Sequence, residues 1–380
     1  MNTLEHQLEY PFGDNLPSGG KLLEVADDVF WLRMPLPFAL DHINLWLLRD
    51  EIDGRPGWSV VDCGVATDTT KALWEHLFTT ALNGLPVLRV LVTHCHPDHL
   101  GLAQWLVAGG NHARWNASLW TTQGEYLFGR TLLGGASSNV AGPGAALHFA
   151  RNGLDDEGLL RQIRERSSYY PDLVPVIPPA YRRVCDGEVI SIGRRKWEVV
   201  TGFGHSPEHA AFYCAADELL ISGDMILPRI STNVSVFDME PDADPLALYL
   251  TSLERYAGMP ERSLVLPAHG KPFRGLQTRI KQLRDHHAAR LDEAFAACCQ
   301  HARTAAELVP ILFKRKLDAH QSAFAMGEAI AHLHMLWRSG KLDRFMDGHG
   351  RYRFTARLPC ESPSDDILTP AGAGVTVPMA

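Results

Sequence analysis

No run of 18 apolar residues occurs anywhere in this 380-residue chain, and a helix that crosses a bilayer needs about 20 of them. A membrane-spanning helix is therefore not expected. The opening segment MNTLEHQLEYPFGDN has no basic stretch and no apolar stretch behind one, so the marks of a secretory signal are missing too. Cysteine is sparse: seven residues, at 63, 95, 185, 214, 298, 299 and 360, odd in number and scattered. That pattern gives no disulfide framework and favours a reducing, cytoplasmic setting. Phosphate-cradling glycine loops, internal repeats and low-complexity stretches are absent as well. Charge is modest at 21%, and 44 acidic against 36 basic residues leave a net −8. An acidic balance argues against nucleic acid or an anionic membrane as partner. The 46% hydrophobic content is ordinary for a globular protein able to bury a full core.

What the chain does have is histidine and aspartate at the ends of apolar runs. VLRVLVT (87–93) is apolar and β-branched, so the chain reaches His94 as a strand. In an extended segment residues i and i+2 share a face, which aims His94 and His96 together and turns Cys95 away. Pro97 suits the first turn of a helix and places Asp98 and His99 at its N-terminus. Two imidazoles face one point, and a carboxylate with a third imidazole faces a neighbouring one. VVTGFGH (199–205), LLISGD (219–224) and LVLPAHG (264–270) repeat the pattern, each an apolar run broken shortly before His205, Asp224 or His269. Such side chains gather at the carboxyl edge of a sheet. Nitrogen and oxygen donors in this ratio suit zinc. His209, four residues after His205, reads as a support of the ligand loop rather than an eighth ligand. The segment 227–237 follows a ligand directly, so Arg229 and Asn233 are candidate substrate contacts, with a plain surface ion pair the alternative for Arg229.

HCHPDH, VVDCG (60–64), GHSPEH, SGD and PAHG together resemble the motif set of the metallo-β-lactamase superfamily. The likeness is to its glyoxalase-II-like, lactamase-like branch with a C-terminal winged-helix domain. The resemblance implies that His94, His96 and His205 bind one metal and that Asp98, His99 and His269 bind a second. Asp224 would bridge the two, Asp98 would orient the attacking water, and Asp62 would orient the His-bearing loop. It implies two divalent metal ions, zinc first, with iron or manganese as alternatives.

The expected fold class is α+β: an αββα sandwich with a helical insertion and a C-terminal winged-helix-like domain. The hydrolase domain takes 1–270, with the insertion at about 123–175, a linking helix at 271–300, the winged-helix-like unit at 301–358 and a disordered tail at 359–380. The insertion is either a cap over the metal mouth or a surface for self-association, which leaves a homodimer open. The C-terminal unit is mixed in charge, with Lys314-Arg315-Lys316 its densest basic run. Packing against the hydrolase or a second subunit suits it better than DNA. The expected activity is hydrolysis of a thioester or related small acyl ester. A phosphodiesterase or endoribonuclease of the same superfamily is the alternative, and a non-hydrolytic iron or binding role the third reading.

Overall fold

The computed structural model describes residues 3–38, 40–134, 141–166 and 169–357. The tail expected at 359–380 and parts of the insertion (135–140 and 167–168) lie outside them. The chain opens with four antiparallel-linked strands, β1 (Leu23–Ala26), β2 (Val29–Pro35), β3 (His42–Ile52) and β4 (Arg55–Val61). Helix α1 (Asp68–Thr80) follows, then β5 (Val87–Leu91), α2 (Pro97–Leu100), α3 (Ala103–Val107) and β6 (Ser118–Thr121). The insertion supplies α4 (Gln123–Leu133), α5 (Gly142–Arg151), α6 (Glu157–Glu165) and α7 (Tyr169–Leu173). After it come β7 (Arg182–Arg183), β8 (Val189–Ile192), β9 (Arg195–Gly202), β10 (His209–Cys214), β11 (Leu219–Gly223), α8 (Pro245–Glu254) and β12 (Leu264–Pro267).

β1 to β7 form one sheet in sequence order, and β12-β11-β10-β9-β8 form the second. Strand alternation explains how they stack. Trp31, Trp46, Val61 and Leu91 of the first sheet meet Trp197, Phe212, Ile221 and Leu266 of the second in one buried layer. Their neighbours Leu32, Leu45 and Val60 point to the opposite face and pack with Trp74, Leu77 and Leu106 from α1 and α3. Each fully buried aliphatic or aromatic side chain stabilises the fold by roughly 1.5–3 kcal/mol, so register in these two-faced strands is strongly fixed. α1 shows the local logic: Thr67 caps it by accepting from the Thr70 N–H at 3.2 Å, and Thr70, Trp74, Leu77 and Phe78 line its buried stripe.

The C-terminal part is α9 (Leu276–Gln300), α10 (Ala305–Leu312), α11 (Ala319–Arg338) and a hairpin of β13 (Leu342–Met346) with β14 (Tyr352–Ala356). Leu283 and Leu291 of α9, Leu308 of α10, Ile330 of α11 and Phe354 of the hairpin share one core with Leu220 and Val265 of the second sheet. α9 is thus a core element joining both units. α11 also presses on the segment after Asp224: the Val236 N–H donates to the Gly327 carbonyl at 3.2 Å, and a Cβ on Gly327 would collide with Ser235. None of the described helices is long and apolar enough to cross a membrane.

Candidate metal centre

Strand direction decides what meets at the site. β4 and β5 are parallel, so Asp62 and the 94–99 segment leave the same edge. β9 and β11 are both antiparallel to β10, and β12 is parallel to β11. Three strands of the second sheet therefore end at one edge, delivering His205, Asp224 and His269. The antiparallel strands β3 and β10 begin at those same edges, which brings His42 and His209 in from their N-terminal ends. Two glycines permit the tight approach. A Cβ on Gly223 would run into the His209 ring, and Gly204, at φ +96, would strike the Pro245 carbonyl.

Asp224 stands between two groups of donors. Its Oδ2 lies 3.4 Å from His205 Nε2 and 3.9 Å from His94 Nε2, and His94 Nε2 is 2.9 Å from His96 Nδ1. Its Oδ1 lies 3.4 Å from His269 Nε2 and 3.7 Å from His99 Nε2, while Asp98 Oδ2 is 3.3 Å from His269 Nε2. Donors each roughly 2.0–2.2 Å from a shared tetrahedral cation stand about 3.3–3.6 Å apart, and these spacings cluster around that range. The ring tautomers agree. His205 Nδ1 donates to the Asn233 carbonyl at 2.7 Å, and His269 Nδ1 to the His42 carbonyl at 2.8 Å. His99 Nδ1 lies 2.8 Å from Asp62 Oδ2. Each bond turns the Nε2 lone pair inward, where His99 Nε2 and Asp224 Oδ1 are buried without any hydrogen-bond partner. Converging lone pairs repel unless a cation lies between them. The residues present fit a pair of divalent metals.

The electrostatics point the same way. Burial, then the neighbouring imidazoles, holds His94 well below the ordinary histidine range. Burial and His205 take His96 down to about 3, so both offer lone pairs at neutral pH. Burial works against a charged His99, but Asp62, Asp98 and Asp224 outweigh it and push it up to about 10. Burial likewise opposes ionised Asp98, yet His99 and His269 hold it at about 2. The metal-free site therefore keeps a proton on His99 that a cation must displace. Loading metal at pH 7.5 should release protons from the site, from His99 first and also from His269, where burial is outweighed by Asp224 and Asp98 and the ring is pushed up. Titration calorimetry in buffers of different ionisation enthalpy reads this release, and zero release would contradict the His99 assignment.

The supporting residues take distinct places. Asp62, in the left-handed region at φ 64, accepts from the Thr93 N–H at 2.8 Å as well as facing His99. His209 is fully buried, and its Nε2 accepts from the Asp224 N–H at 3.2 Å. Asn233 meets His205 through its carbonyl, while its side chain accepts from Ser235 at 2.8 Å. Arg229 faces away from the metals toward Glu5, at 3.1 Å, and does not line the cavity there. Cys95 is fully buried with its thiol against the Glu125 carboxylate, and it belongs to neither group of metal donors. Sequence reasoning missed Glu125 of α4. Its buried carboxylate accepts from the Cys95 N–H at 2.8 Å, the Ser206 hydroxyl at 2.6 Å and the Glu208 N–H at 2.7 Å. One side chain thus ties both histidine loops, and the Tyr170 hydroxyl adds a bond to the Cys95 carbonyl at 2.7 Å.

His96, Asp98, His205, Asp224 and His269 line one end of a cavity of about 400 Å³. Leu36, Phe38, Leu132 and Tyr169 make one apolar wall, and Leu227, Ile230 and Phe237 another. The insertion contributes only part of the cover. The C-terminal unit adds Phe313, Leu317, Phe324 and Ala325.

Comparison with known proteins agrees with this architecture. The description "Metallo-beta-lactamase superfamily" matches residues 40–269, and "Metallo-beta-lactamase-like, C-terminal domain" matches residues 291–357. A crystal structure of a β-lactamase domain protein from Burkholderia ambifaria is 58% identical, covers 93% of this chain and 100% of its own, and superposes with a TM-score of 0.89. The probable metallo-hydrolase YqjP of Bacillus subtilis (strain 168) is 22% identical over 86% of this chain and 98% of its own length. The acyl-coenzyme A thioesterase MBLAC2 of Gallus gallus is 24% identical over 66% of this chain and 80% of its own. With both sheets, the metal-binding edge and the C-terminal unit accounted for, the chain belongs to the metallo-β-lactamase superfamily.

Proposed function

We propose that this metallo-hydrolase cleaves a thioester or related small acyl ester with two zinc ions. The observation that carries the reading is the cavity itself: metal donors at one end of a lining that is mostly leucine, phenylalanine and tyrosine. A scissile carbonyl placed at that end puts its acyl group against leucine and phenylalanine, the lining that suits a small apolar ligand. The likeness to a protein named as an acyl-coenzyme A thioesterase supports the same class.

Divalent cations held by these donors supply Lewis acidity and make water acidic enough to deprotonate near neutrality. Asp98, ionised far below neutral pH, accepts a hydrogen bond from a water and orients it. Asp224 neutralises charge between the two donor groups, and Asp62 and His209 fix His99 and Asp224 from behind. A thiolate suits this arrangement as leaving group. Thiols ionise near 8.5, so departure needs no proton donor, and Asp98 at about 2 holds no proton to give.

The test compares an acyl-coenzyme A, an S-acylglutathione, a lactone and a short single-stranded RNA on one metal-loaded preparation. Thioester turnover should fall by roughly 10²–10⁴-fold in Asp98→Ala, the usual range for losing a general base. RNA cleavage that disappears in that variant, without thioester turnover, would replace this reading by the nuclease alternative.

A further inference from the structure

We propose that the loop joining α10 to α11 is a phosphate-binding rim, and that the thiol half of the substrate is a nucleotide-bearing thiol of the coenzyme A kind. This rests on the thioester reading above. Lys314, Arg315 and Lys316 are three consecutive exposed cations in a chain of net charge −8. Phe313, Arg315 and Leu317 line the same cavity as His96, Asp98 and Asp224. Arg315 therefore stands in the wall that leads to the metals, and Lys314 and Lys316 flank it on the exposed side of the loop.

Its charge is available. Among the described residues Lys314, Arg315 and Lys316 make no ion pair with a carboxylate. Arg315 Nη1 donates to the neutral Gln321 Oε1 at 2.8 Å. The adjacent Asp318 is already used in capping α11, accepting from the Gln321 N–H at 2.8 Å. Inside, the cavity has the opposite character. Beyond Arg315, its C-terminal wall is apolar apart from Gln321 and Glu328, the latter pushed up to about 7 by burial. The apolar walls between the metals and the rim offer an anionic group no partner while the rim attracts it, so a molecule with an apolar acyl end and a polyanionic thiol end is favoured in one orientation. Three cations match a ligand with several phosphate charges. The overall acidic surface repels a long polyanion, while a small ligand senses chiefly the local field within a Debye length, about 8–10 Å.

The experiment measures binding of coenzyme A, its 3′-dephospho form and pantetheine to the full metal-loaded chain by calorimetry at low and high salt. All three carry the same thiol, so contact with the metals cancels in the comparison. Coenzyme A should bind at least about tenfold tighter than pantetheine at low salt, and the gap should close in 0.5 M salt. In Lys314→Ala/Arg315→Ala/Lys316→Ala the gap should shrink to about twofold, with an unchanged thermal melting temperature and metal content as evidence of an intact fold. KM for an acyl-coenzyme A should rise about tenfold at near-constant kcat. Equal binding of coenzyme A and pantetheine by the unaltered protein overturns the proposal, as does a triple variant that keeps the gap. Short RNA displacing coenzyme A at lower concentration than coenzyme A itself overturns it in favour of a polynucleotide. Phosphate-selective binding without acyl-coenzyme A turnover keeps the rim and removes the hydrolase reading; turnover without phosphate selectivity does the reverse.

Discussion

Asp224→Ala should strip metal from both positions and lower turnover by at least about 10²-fold, more than the 10–100-fold that losing an outer partner of a metal ligand usually costs. Among the described residues Asp224 is the side chain that faces both donor groups, with Oδ2 toward His94 and His205 and Oδ1 toward His99 and His269. Without it, two dications face one another with no shared anion. Cys95→Ala provides the contrast. A thiolate is a good zinc ligand, but this thiol is buried among Leu100, Tyr126 and Tyr170, and burial pushes its ionisation well up. Metal content by plasma mass spectrometry should stay near two per chain in Cys95→Ala and fall toward zero in Asp224→Ala. A Cys95 variant that loses metal while the Asp224 variant keeps it would reverse the ligand assignment.

What was readable in the sequence is what depends on local alternation. His94 and His96 share a face because their segment is extended, and Cys95 points the other way for the same reason. Apolar runs ending at Asp or His mark the carboxyl ends of strands, and the structure brings His94, His96, Asp98, His99, His205, Asp224 and His269 to one place. Contributions from the other ends of strands leave no such mark. His42 opens β3, and only the antiparallel pairing to β4 puts its carbonyl under His269. Arg229 lies five residues beyond a ligand, yet its direction is set by Glu5, a residue distant in sequence. The C-terminal unit's share of the cavity was equally hidden. Phe324, Ala325 and Glu328 have the spacing of any half-buried helix face, and only packing of α11 against the 231–237 segment turns that face to the metals.

Glu125 is the second position where a single change should have a large effect, and the choice of replacement matters. Its carboxylate is surrounded by donors: the Cys95 N–H, the Ser206 hydroxyl and the Glu208 N–H, with the Cys95 thiol as a fourth, weaker one. Burial pushes its carboxyl above the usual carboxylate range, and these bonds, which favour the charged form, offset that only in part. Glu125→Gln keeps the shape and reverses half the chemistry, since one amide end must turn an N–H toward a donor. An unsatisfied buried donor costs about 1–3 kcal/mol, so the variant should melt several degrees lower. The loops it binds carry His94, His96 and His205, so metal affinity should fall with stability, by roughly 10–100-fold. Glu125→Ala should be worse, leaving three donors and a void, whereas Ser206→Ala removes one donor and should cost least. That ranking separates a tie between the histidine loops from simple core packing, because packing alone would spare Gln, which is nearly isosteric with Glu. Thermal melting and competitive chelator titration on the three variants measure both quantities, and metal affinity unchanged in Glu125→Gln would show that the loops hold their geometry without it.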